Sequence, residues 1–130
     1  MTTNPSRTVL LDTSFILTLT KSHRDLRDAA TLGARVVLAT TDGVVMELQR
    51  LARNGSFRSK GLARIALSEL ERNKVEVRET HPATPKVDTG IIAVALGDRR
   101  KIDVGTVDRQ LSRTLSTLGV SVINLHRKNR

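Results

Sequence analysis

Five short aliphatic and β-branched runs alternate along this chain with segments of helical periodicity, and this alternation restricts the fold more than any other feature. The runs are Arg7 to Asp12, Arg35 to Ala39, Lys74 to Arg78, Ile102 to Val107 and Val120 to Leu125. Val9-Leu10-Leu11 is uninterrupted, as expected of a strand buried on both faces of a parallel sheet, whereas Val75 and Val77 alternate with polar residues and suit a sheet edge. The intervening spacing predicts helical material over Ser14 to Gly33, with Gly33 as a C-cap, and a helix around Val44 to Leu51 capped by Asp42. After the break Asn54-Gly55-Ser56 it predicts a helix over Phe57 to Arg72, a helix launched by Thr84 as N-cap and Pro85 in its first turn, and a helix over Asp108 to Leu118 ending at Gly119. Strand and helix units in this order pair in parallel through right-handed crossovers. The expected fold is α/β: a three-layer α/β/α sandwich on a mainly parallel sheet of about five strands, formed by residues 1–130 as one domain.

Charge narrows the partner. Lys and Arg number 22 against 13 Asp and Glu, a net charge of +9, and such an excess is the footprint of a phosphate-binding protein. Nucleic acid is the leading expectation, with Arg99, Arg100, Lys101, Arg109, Arg113, Arg127 and Lys128 as candidate RNA contacts and further cations at Arg50, Arg53 and Arg58 to Arg64. Only two aromatics are present, Phe15 and Phe57, so the stacking platforms of an RNA-recognition motif or cold-shock domain are missing and binding should be chiefly electrostatic. Cysteine is absent, and His23, His81 and His126 are scattered, which leaves no nitrogen or sulfur set at zinc-ligand spacing. No apolar run approaches the length of a signal peptide or membrane span, so a cytoplasmic setting without a membrane partner is expected.

In this basic chain four acids stand out. Asp12 ends the first strand run and Asp108 follows the fourth, which places both at the carboxyl edge of a parallel sheet, where open α/β folds bind ligands. Asp88 has Ile91, Ile92, Ala95 and Leu96 at helical spacing and Glu47 adjoins a stripe of Val44, Leu48 and Leu51, so both acids are expected to face inward. Two like charges about 4 Å apart cost on the order of 4 kcal/mol even at an effective dielectric of 20. Gathered acids therefore need a cation, and an all-oxygen donor set suits Mg²⁺ or Mn²⁺.

The segments Leu10-Leu11-Asp12-Thr13-Ser14, Val44-Val45-Met46-Glu47-Leu48, Val87-Asp88-Thr89-Gly90-Ile91-Ile92 and Gly105-Thr106-Val107-Asp108-Arg109-Gln110-Leu111 resemble the PIN-domain nuclease pattern over nearly the whole chain. Within that family the sequence is most similar to the small-subunit ribosomal-RNA processing endonucleases of archaea and their eukaryotic relative. The resemblance implies a metal-dependent endoribonuclease that cuts single-stranded RNA, with precursor rRNA as substrate and ribosome-assembly factors as partners. It implies Asp12 and Asp108 as the most direct metal ligands, Glu47 and Asp88 as ligands or orienters of bound water, and Ser14 and Thr106 as hydrogen-bonding supports. Two positions depart from the pattern. Ser14 stands where many members have Asn, a change that keeps hydrogen bonding, and Gln110 stands where an acid often follows, which gives a second metal less support.

Each acid alone has an ordinary explanation, since an Asp after a strand is more often an N-cap than a ligand; the set of four in this order is what argues for chemistry. Asp98, at a helix end, reads as solvated and Asp103, opening a strand, as a surface ion pair. The competing readings are a toxin ribonuclease of a toxin and antitoxin pair and a non-catalytic PIN-like scaffold that binds RNA. A phosphorelay receiver would need an acceptor Asp at the end of its central strand and a downstream Lys in the pocket, and this sequence offers no convincing match to that pair. Oligomeric state is left open.

Overall fold

The computed structural model describes residues 7–31, 36–80, 86–123 and 125. The elements follow as β1 (Arg7–Leu11), α1 (Thr13–Lys21), α2 (Leu26–Thr31), β2 (Val36–Thr41), α3 (Asp42–Asn54), α4 (Phe57–Arg72), β3 (Glu76–Arg78), α5 (Val87–Gly97), β4 (Ile102–Gly105), α6 (Arg109–Thr117) and β5 (Ser121–Ile123). The strands form one sheet in the order β3-β2-β1-β4-β5, with every neighbouring pair parallel. This is the expected α/β sandwich, and β3 lies at an edge, as the alternation of Val75 and Val77 with polar residues suggests. The central strand β1 is buried from Thr8 to Leu11, because helices cover both faces. On one side α1, α3 and α4 pack on one another; α5 lies against β2 and β4, and α6 against β5.

The core joins Val9, Leu10 and Leu11 of β1 to Leu38, Val104, Phe15, Leu19, Leu48, Ile91 and Leu115. At the end of β4, Gly105 admits the ring of Phe15: a Cβ there would stand 3.0 Å from two ring carbons. Thr40, fully buried, donates to the Leu11 carbonyl at 2.7 Å and ties the end of β2 to that of β1.

Three helix ends share one device. Arg24 N–H bonds Leu19 C=O and His23 N–H bonds Thr20 C=O; Val75 and Lys74 repeat the pattern on Leu70 and Glu71, and Val120 and Gly119 on Leu115 and Ser116. These paired bonds are Schellman caps, whose turning residue sits at positive φ and is usually glycine. Here φ is 57° at His23, 54° at Lys74 and 84° at Gly119.

The glycine end of α6 falls where expected, and the two others correct the sequence reading. The helical stretch from Ser14 is split by the turn at His23 into α1 and α2, and the third strand begins at Glu76 because Lys74 is turned left-handed. The cap of α3 is also corrected: Thr41, not Asp42, accepts from Val44 N at 3.2 Å, while Asp42 is the first helical residue. Gly33, Thr84 and Pro85 lie outside the described residues, and α5 starts at Val87 after Lys86.

Candidate active site

In a sheet whose strands all run the same way, segments that follow a strand gather at one edge and segments that precede a strand gather at the other. The chain order changes direction between β1 and β4, and the crevice at such a switch point is the expected ligand site of an open α/β sheet. Asp12 leaves β1 there, and Thr106 and Asp108 leave β4 beside it.

Asp12 is 3% exposed. It occupies the N-cap position of α1 without a side-chain capping bond. Its Oδ2 instead accepts from Thr106 Oγ1 at 2.8 Å and Ser14 Oγ at 2.9 Å. Each hydroxyl spends its one proton on Asp12 and accepts from a backbone amide: Thr106 from Asp108 N at 3.1 Å, Ser14 from Val107 N at 3.2 Å. The junctions β1 to α1 and β4 to α6 are thereby laced around one carboxylate. Burial pushes the Asp12 carboxyl above its ordinary range; the bonds from Thr106, Ser14 and the Thr13 amide oppose the rise, and the charge of Asp108 adds to it.

The other acids are held differently. Glu47, one turn into α3 and half-buried, accepts through Oε1 from the Thr13 hydroxyl at 2.7 Å, and its Oε2 lies 3.9 Å from Arg50. Asp108 caps α6, with Oδ1 accepting from Leu111 N at 3.0 Å, so its ordinary N-cap role is real and occupies one oxygen. Asp88 is in the first turn of α5 and exposed. Its carboxyl is raised by partial desolvation first and then by the charges of Asp12, Asp108 and Glu47. All four acids line one open cleft of about 520 Å³, together with Thr13 and Ser14.

The inward orientation expected of Asp88 is corrected. The buried face of α5 is narrower than its apolar spacing suggests, with Gly90, Ile91 and Ala95 covered and Leu96 40% exposed, so Asp88 faces the cleft rather than the core.

In kind the donors fit a hard divalent cation, being all oxygen. In spacing they stop short of a closed site: among the described residues, no three His, Cys, Asp or Glu side chains stand close enough to hold a metal ion. Asp12 is locked by its two hydroxyls, whereas Asp88 and Asp108 are exposed at the rim.

Thr13 is a site residue that sequence reasoning passed over; its one signal was a hydroxyl beside Asp12 at the start of an apolar helix. Asp42 also has a part, since it accepts from the Thr80 hydroxyl at 3.0 Å and fastens the start of α3 to the chain beyond β3.

The candidate RNA contacts divide. Arg109 and Arg113 are exposed on α6, with Arg109 next to Asp108. Arg99, Arg100 and Lys101 precede β4 and so sit at the opposite edge, where Arg99 and Arg100 line a depression with Arg7. Arg7 is itself paired with Asp103 at 2.6 Å, the surface ion pair expected of that acid. Arg127 and Lys128 lie outside the described residues.

A parallel α/β domain with an acidic cleft at its switch point is the class that these features define. Among solved structures, the PIN domain endonuclease Utp24 superposes with a TM-score of 0.77 at 22% identity, over 95% of this chain and 89% of that one. A domain of a functionally unknown protein from Methanocaldococcus jannaschii gives 0.59 at 15% identity, over 96% and 95%. A PilT N-terminus domain protein from the archaeon Sulfolobus solfataricus gives 0.50 at 12%, over 95% and 98%. No family model matches the sequence, and no curated protein matches it significantly. The chain has the PIN-domain fold along nearly its whole length. Among the described residues, no helix is long and apolar enough to cross a membrane.

Proposed function

We propose that this protein is a divalent-metal-dependent endoribonuclease that hydrolyses single-stranded RNA, with small-subunit precursor rRNA as its substrate class. The observation that carries the reading is the convergence of Asp12, Glu47, Asp88 and Asp108 on one cleft at the β1 and β4 switch point of a PIN fold, in a chain of charge +9. These four would hold Mg²⁺ or Mn²⁺, which when bound would neutralise charge on the scissile phosphate and lower the pKa of an attacking water.

The chain's own residues supply the rest. Thr106 and Ser14 fix Asp12 in one orientation, and Thr13 fixes Glu47. Hydrogen bonds of this kind orient the carboxylates that would receive the cation. Arg109, exposed and next to Asp108 at the start of α6, would meet a phosphate of the bound strand. Rim acids that stand apart until a cation draws them in would couple metal binding to substrate seating.

The spacing of the acids also favours a second reading, a PIN-like scaffold that binds RNA without cutting it. Incubation with small-subunit precursor RNA, with and without Mn²⁺ and beside Asp12→Asn, separates the two. The nuclease reading expects a metal-dependent cut that Asp12→Asn abolishes. Tight RNA binding with no acid-dependent cut under any divalent metal would establish the scaffold.

A further inference from the structure

Of the two aromatic residues, Phe15 is fully buried in the core and Phe57 is 96% exposed. Phe57 is the first residue of α4, at the tip of the hairpin formed by α3 and α4, and its ring is committed to no packing within the fold. The hairpin's charge is one-sided: between Glu47 and Glu69 the sequence has no acid and five cations, Arg50, Arg53, Arg58, Lys60 and Arg64. Phe57, Lys60 and Arg64 recur at i, i+3 and i+7 and therefore share a helix face.

The tip lies on the acid side of the molecule. α3 starts where β2 ends, and Glu47 within it lines the cleft. α4 runs alongside α1 in the same direction: Ile16 and Thr20 line one cavity with Ile65 and Glu69, and Arg72 at the end of α4 is 3.8 Å from Asp25, just past the end of α1. α1 begins at the cleft with Thr13, and α4 is longer, 16 residues against 9. With their far ends together, the start of α4 projects about 10 Å beyond Thr13 at 1.5 Å per residue.

We propose that the hairpin tip is a contact for single-stranded RNA, in which Phe57 stacks on an unpaired base and Arg53, Arg58 and Arg64 hold the flanking phosphates of the strand that enters the acid cleft. The proposal rests on the reading of RNA as substrate and adds a base contact to a surface otherwise expected to bind by charge alone. Charge decides the class of occupant. A second copy of this chain or another basic protein would bring cations against cations, whereas RNA supplies phosphates for the arginines and a flat ring for the phenylalanine.

The chain has no Trp or Tyr, so F57W places a single indole at the tip. The full-length protein is titrated without metal against an unstructured oligoribonucleotide, following anisotropy of the labelled RNA and indole emission. Stacking predicts that F57A weakens affinity roughly 5- to 150-fold, that F57L stays weak, and that F57W restores affinity with its emission quenched. F57A should leave the salt slope unchanged, whereas R58A and R64A should each flatten it by roughly 0.7. The thermal midpoint of each variant checks folding, and at so exposed a position it should not fall. If wild type and F57A bind equally, the stacking proposal is wrong and the nuclease reading stands. If F57A instead converts a dimer to a monomer with RNA affinity intact, the tip is a protein contact. If wild type binds no RNA at all, both readings fall.

Discussion

Thr106→Val isolates the bond that holds the buried Asp12. The variant keeps the shape of the side chain and removes a hydroxyl that donates to Asp12 Oδ2 at 2.8 Å and accepts from Asp108 N at 3.1 Å. A hydrogen bond to a charged group contributes about 1.5 to 3 kcal/mol, and the second bond, part-buried and between neutral groups, about 1 kcal/mol. At neutral pH the expected loss is therefore about 2.5 to 4 kcal/mol. At roughly 4 °C per kcal/mol for a chain of 130 residues, Tm should fall by about 10 to 16 °C.

In acid the sum changes. The folded Asp12 carboxyl lies above its ordinary value of 3.8, so the folded state holds this proton more tightly than the unfolded state does. Stability from that preference is fully present below pH 3.8 and is lost as pH rises through the folded value. Thr106 opposes the rise, so its removal lifts the folded value further and enlarges the loss on ionisation. Below pH 3.8 both lost bonds join neutral groups, and only about 2 kcal/mol should separate variant from wild type. Urea denaturation of both proteins across this range measures the difference, with Thr106→Ser as the variant that restores the hydroxyl. A loss independent of pH, or an equal loss in Thr106→Ser, would refute the assignment of Asp12 as the carboxylate that Thr106 supports.

Asp88→Asn removes a carboxylate that three neighbouring acids repel; differential scanning of the metal-free protein should show a higher Tm at neutral pH, with the gain disappearing in acid. Lys74→Gly should raise stability by about 0.5 to 1 kcal/mol in denaturant, because glycine carries no side-chain penalty at positive φ. Mg²⁺ or Mn²⁺ at millimolar concentration should raise the Tm of wild type and raise it less in Asp12→Asn, since a ligand of the folded state stabilises it; equal shifts in the two would remove Asp12 from the metal site.

Periodicity and parallel pairing were legible because parallel burial leaves unbroken aliphatic runs such as Val9-Leu10-Leu11, and a parallel sheet sends every segment that follows a strand to one edge. Asp12 and Asp108 could therefore be placed together before any coordinates. The break after α1 was hidden because a Schellman cap announces itself through glycine, as at Gly119, and His23 and Lys74 adopt the same turn without it. Thr13 was hidden because its partner Glu47 is 34 residues away, and spacing cannot show which hydroxyl meets which acid. The same sheet logic, applied to what precedes a strand, places Arg99, Arg100 and Lys101 at the edge opposite the acids. Phe57 shows a limit of composition: two aromatics count alike until one proves to be core and the other surface.

The most direct test of the central claim uses Asp108→Asn. Asparagine is as good an N-cap as aspartate, so α6 keeps its bond to Leu111 N and only the negative charge is lost. Cleavage of single-stranded RNA with Mn²⁺ and affinity for the same RNA without metal are measured side by side on wild type and variant. The account predicts that cutting is abolished while affinity is unchanged or tightened, because an acid near the phosphate has gone. Cutting at the wild-type rate, or affinity that falls together with it, would contradict a catalytic role for the four acids.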